Sequence, residues 1–80
     1  MWIDDYAAAL SEAAGRPIAI PDEDAILDFT RRVAHGSERK NAPLATFLAG
    51  WFAAARVSAG TEAGEAWNEA AALGDALLDD

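Results

Sequence analysis

The sequence holds no cysteine, a single histidine, and only six lysine and arginine residues among its 80. Without cysteine it can form neither a disulfide nor a thiolate metal site. One histidine leaves no H-x-x-x-H or H-E-x-x-H pairing, so no metal site is expected. The lack of cysteine also suits a reducing compartment, and a cytoplasmic location is expected. No run of about 18 apolar residues occurs, so no membrane span is expected. The start, Met1-Trp2-Ile3-Asp4-Asp5, lacks the basic segment and apolar run of a secretory signal. Basic residues are outnumbered by 14 acids, for a net charge of −8. Such a surface repels phosphate backbones, which disfavours bulk nucleic-acid binding.

Hydrophobic residues make up 52% of the chain and charged residues 25%, the proportions of a folded domain. One domain, residues 1–80, is all that this length accommodates. Alanine is abundant, and arginine outnumbers lysine five to one. That bias points to a GC-rich coding sequence and hence a bacterial source.

Hydrophobic spacing predicts four helices, over about 3–14, 22–35, 43–59 and 62–78. The first carries Trp2, Tyr6, Leu10 and Ala13, with Ile3 and Ala9, on one stripe, which is expected to be buried, and Gly15 ends it. Arg16-Pro17-Ile18-Ala19-Ile20-Pro21 reads as an extended linker, from which Ile18 and Ile20 are placed to plug the core. Asp22 caps the second helix, whose stripe is Ile26, Phe29 and Val33 with Leu27 and Ala34. Gly36 is its expected stop.

Pro43 opens the third helix, which is apolar over a wide arc: Leu44, Phe47, Leu48, Trp51, Phe52 and Ala55. Such an arc fits a central helix, with Leu44 and Phe47 in the core, or a helix that shares its surface with a protein partner. Gly50 within it suggests close approach of a neighbouring helix. Thr61 can cap the fourth helix, where Ala63, Ala66, Trp67, Ala70, Leu73 and Leu77 form a seam of mostly small residues. The loops are short, so an all-α, antiparallel bundle of about four helices is expected.

The charge is uneven. Residues 1–30 hold seven acids and one arginine, residues 31–60 hold five basic residues and one acid, and residues 61–80 hold six acids. The net charges are therefore −6, +4 and −6. Arg31, Arg32, His35, Ser37, Glu38, Arg39 and Lys40 are the candidate ligand- or partner-binding residues. An arginine-rich turn around a glycine suits a phosphate, since the guanidinium fork donates two parallel hydrogen bonds. The same residues also read as scaffold: cations at a helix C-terminus oppose its dipole, and Gly36 caps it.

No catalytic set is legible. There is no G-x-S-x-G elbow, and Asp22, Glu23, Asp24 and Asp28 lack the spacing of a calcium loop. The size, acidity and helix count are those of an acyl carrier protein. However, none of Ser11, Ser37 or Ser58 follows an aspartate, as the phosphopantetheine attachment motif requires.

Residues 33–50, Val-Ala-His-Gly-Ser-Glu-Arg-Lys-Asn-Ala-Pro-Leu-Ala-Thr-Phe-Leu-Ala-Gly, resemble the central motif of a small bacterial family of domains of unknown function. The matching positions are His35, Gly36, Glu38, Arg39, Pro43, Leu44, Phe47 and Gly50, and Ile3-Asp4-Asp5-Tyr6 fits the family's first helix. Members occur alone, or beside and fused to molybdenum cofactor guanylyltransferase-like proteins. The resemblance implies a non-catalytic accessory role in molybdopterin-guanine dinucleotide biosynthesis. It further implies a guanylyltransferase-type partner and a contact with a phosphate-bearing nucleotide or molybdopterin, with no covalently bound cofactor. The alternative is a homodimerising helical scaffold without a ligand.

Overall fold

The computed structural model describes residues 1–78 and contains four helices: α1 (Trp2–Ala14), α2 (Glu23–Gly36), α3 (Asn41–Ser58) and α4 (Ala63–Leu78). Each boundary lies within two residues of its sequence expectation. The fold is all-α, and among the described residues no helix is long and apolar enough to cross a membrane.

Local chemistry explains the helix ends. Asp22 caps α2 by accepting from Ala25 N at 3.1 Å. Gly15 closes α1 in the left-handed region, at φ 70°, which costs a glycine nothing. Two ends differ from expectation. Gly36 is the last residue of α2 rather than a left-handed stop. The Ser37 hydroxyl instead donates to Val33 O at 2.6 Å and satisfies that carbonyl. At the start of α4, Glu62 takes the role expected of Thr61. Its carboxylate accepts from Gly64 N at 2.8 Å and from Glu65 N at 3.2 Å.

Helices α2, α3 and α4 pack on one another around Phe29, Val33, Ala49, Trp67, Ala70 and Ala71. Phe29 and Trp67 meet edge to face, with centroids 5.6 Å apart, an arrangement the ring quadrupoles favour. Most other core side chains are alanine, so the helix backbones come close and the two aromatics fill the remaining space. Close approach occurs at Gly74, where an added Cβ would lie 2.8 Å from the Phe29 ring. At Gly50, where the sequence suggests it, nothing lies within 4 Å.

Several expected core positions lie outside. On α3 the buried residues are Ala42 and Ala49, with Ala45, Thr46 and Phe52 partly covered, while Leu44, Phe47, Leu48 and Trp51 face solvent. On α4 the packed face holds Ala66, Trp67, Ala70, Ala71 and the partly buried Gly74 and Leu78, and Leu73 and Leu77 are exposed. Leu27 of α2 is exposed as well. On α3 and α4 the physical reason is the same. Alanine faces allow a shorter interhelical distance, and the larger side chains one position round the helix do not fit in that gap.

Helix α1 differs most from expectation. It buries no residue and approaches none of the other three helices closely. Its packed side is Ile3, Ala7 and Ser11, so that of the predicted stripe only Ile3 is partly covered, and it lies along the linker. Ser11 makes that junction: its Oγ accepts from Ile18 N at 2.8 Å and reaches Ile18 O at 3.0 Å and Ala7 O at 2.8 Å. Ile18 and Ile20 therefore flank α1 and stay substantially exposed instead of plugging the core. Trp2 and Tyr6 stack at 5.1 Å on the solvent side.

Candidate functional site

The seven candidate residues span the end of α2 and the loop into α3. A helix places residues 31, 32 and 35 within one turn, and these three come together. Arg31, Arg32 and His35, with Gly36, Asp75 and Leu78, line an open depression of about 620 Å³ between the ends of α2 and α4. Ser37, Glu38, Arg39 and Lys40 do not line it.

The charges in that depression are largely matched. Arg31 pairs with Asp28 one turn back on the same helix, at 3.0 Å. Arg32 grips Asp75 of α4 with two hydrogen bonds, Nε at 2.9 Å and Nη2 at 3.1 Å. Its guanidinium carbon lies 5.8 Å from the Phe29 ring centroid. The Asp75 hydrogen bond raises the Arg32 pKa above its ordinary value, and desolvation opposes this in part. Arg32 is thus charged at any working pH and acts as a brace between helices. Both side chains keep more than a third of their surface in solvent, so the pair contributes only about 0.2–1 kcal/mol.

A second brace repeats this design. Arg56 of α3 donates to both oxygens of Glu69 on α4, each at 3.1 Å, and lies over Phe52 at 4.9 Å. Each arginine stacks on the phenylalanine one turn before it and reaches across to α4. Two of the basic residues in the middle of the chain, Arg32 and Arg56, thus tie the acidic C-terminal helix to its neighbours.

The loop residues divide. The Ser37 hydroxyl is committed to Val33 O and also accepts from Asn41 Nδ2 at 3.3 Å. Lys40 lies 3.4 Å from Glu38, both of them well exposed. Arg39 and His35 are exposed and have no acidic partner within 4 Å among the described residues. They retain unused hydrogen-bonding capacity for an anion. Among the described residues no three histidine, aspartate or glutamate side chains converge in a way that could hold a metal ion.

An exposed apolar surface lies elsewhere. Leu44, Phe47, Leu48 and Trp51 recur at intervals of three and four, so they share one face of α3. Phe47 and Trp51 are 65% and 68% exposed and meet edge to face at 5.8 Å. On α1, Trp2, Tyr6 and Leu10 make a second such stripe, with Trp2 73% and Tyr6 49% exposed. Hydrophobic spacing alone marks these residues as an apolar face but cannot say whether that face turns inward.

No curated protein and no solved structure is similar enough to the chain to be matched. One family does match, over residues 1–80, and the chain belongs to it: the domain of unknown function DUF6457.

Proposed function

We propose that this chain is a non-catalytic interaction module that works by presenting surfaces. The observation that carries this reading is the outward placement of Phe47 and Trp51 with their leucine neighbours on α3. Soluble monomers rarely expose contiguous apolar patches beyond a few hundred Å², and larger ones mark contacts with other molecules.

The resemblance over residues 33–50 supplies the biological setting: accessory work in molybdopterin-guanine dinucleotide biosynthesis. There the 31–40 segment meets an acidic surface of a guanylyltransferase-type protein or a phosphate-bearing ligand such as a nucleotide or molybdopterin. Arg39 and His35, unpaired among the described residues, are the groups with capacity for that contact, while Arg31 and Arg32 spend theirs on Asp28 and Asp75.

Calorimetric titration of the full chain with GTP, and separately with a guanylyltransferase-type protein, tests the setting. Binding to one of them, weakened several-fold by Arg39→Ala and by added salt, is the expected result. Absence of binding to both removes the molybdenum-cofactor assignment and the anion-contact role together.

A further inference from the structure

Two apolar faces of one chain stand open, and they are made alike. Each is a row of aromatic and leucine side chains on one helix, with aromatic rings already packed against each other. Neither row contains a charged side chain: Asp4, Asp5 and Glu12 of α1 lie off its row, and the one charge on α3, Arg56, is taken by Glu69 of α4. No acid stands in the first turn of α3 to oppose its dipole.

The areas are also sufficient. Aromatic side chains bury about 150–250 Å² each. At their observed exposures, Trp2, Tyr6, Phe47 and Trp51 offer on the order of 500 Å² per chain, and so about 1,000 Å² between two chains. The three leucines add to this, bringing the total toward the roughly 1,600 Å² of a standard stable interface.

Within one chain the two faces do not meet. Ser11 holds α1 against the linker through both Ile18 backbone groups, Gly15 turns in the left-handed conformation, and Arg16 Nη1 donates to Ser58 Oγ at 3.3 Å. That junction keeps α1 clear of its own α3.

We propose that a second copy of this chain covers these faces. Helix α1 of one protomer seats Trp2, Tyr6 and Leu10 against Phe47, Leu48 and Trp51 of its partner, and the partner returns the exchange. The contact is a closed two-fold arrangement in which each chain gives one helix and receives one. This inference rests on the interaction-module reading and names the occupant of its apolar surface.

The test is the solution mass of the full chain by light scattering between about 10 and 500 µM, with circular dichroism confirming that each variant folds. Two variants are designed, Trp2→Asp/Tyr6→Asp to break the α1 face and Phe47→Asp/Trp51→Asp to break the α3 face. Wild type is expected at about 17 kDa, twice the 8.4 kDa of one chain. Each variant alone is expected to be monomeric. An equimolar mixture is expected to associate more than either variant alone and less than wild type, because one of the two α1–α3 contacts survives undamaged in the mixed pair.

A dimer that persists in the α1 variant overturns the exchange and indicates an α3-to-α3 contact. A wild type that stays at 8.4 kDa overturns the second-copy inference. In that case a single thiol decides the fate of the wider reading, since the chain has no cysteine of its own. Fast labelling of Leu48→Cys leaves the face open for another partner. Slow labelling in a monomer shows α1 closed over its own α3 and overturns the interaction-module reading too.

Discussion

The two sides of α3 follow opposite rules. The side toward α4 is alanine, with Ala42 and Ala49 buried, and the side away from it is Leu44, Phe47, Leu48 and Trp51, all exposed. Greasiness does not decide which side is inside. The inner side is held by close backbone approach and by two large rings, Phe29 and Trp67, that project from the neighbouring helices. The outer side has more apolar surface and no partner within the chain. Burial therefore follows fit within the three-helix core, and the apolar surplus is displayed.

This contrast predicts a steep difference between aromatic positions. Phe29→Ala removes a ring that is 2% exposed and packed on Trp67, and should cost about 3–5 kcal/mol. A domain of this length is held by roughly 4–12 kcal/mol, so urea denaturation should show a protein near the edge of folding. A loss under about 1 kcal/mol would mean that the ring is not central.

Glycines sharpen the comparison with a change of sign. Gly74→Ala sets a methyl against the Phe29 ring, and that ring is confined by Trp67 and cannot swing away. Overpacking of about 1–3 kcal/mol exceeds the helix-propensity gain of about 1 kcal/mol, so the variant should be less stable. Gly50→Ala meets open space in an ordinary helical conformation and keeps the propensity gain. It should raise Tm by about 4–8 °C if the full 1 kcal/mol is realised. Matching thermal shifts for the two variants would erase the distinction between the packed and open sides.

Trp51→Ala marks the small end of the scale. At a concentration low enough to keep chains separate, it should shift unfolding by no more than about 0.5 kcal/mol, as surface substitutions do. A large effect in dilute solution would place Trp51 in an intrachain contact.

Much of the fold is legible in the residues. Asp22, Gly15 and the proline-flanked linker mark helix ends through local chemistry, and such signals do not depend on distant contacts. The stripe of α2 is legible too, because Phe29 and Val33 stand out against charged neighbours. The faces of α1, α3 and α4 are not. Alanine beside leucine or tryptophan gives no clear polar side, so spacing favours the larger residues, and in α3 and α4 packing chose mostly the smaller ones. The candidate segment 31–40 shows the same limit. Its charge is visible in the sequence, but the partners Asp28 and Asp75 that occupy Arg31 and Arg32 emerge only when the helices are in place.

Four helices, their ends and the acidic–basic–acidic division are written in short stretches of residues, because capping, proline and glycine geometry and helix periodicity act within a turn or two. Which face of each helix turns inward is a long-range outcome. It depends on Gly74 lying under Phe29, on arginine forks that reach Asp75 and Glu69, and on a Ser11 junction that keeps α1 off the core. The longest of those contacts, Phe29 with Gly74 and Arg32 with Asp75, join residues more than 40 positions apart in the chain, the latter pair 43. For that reason the aromatic face of α3, expected in the core, stands at the surface instead.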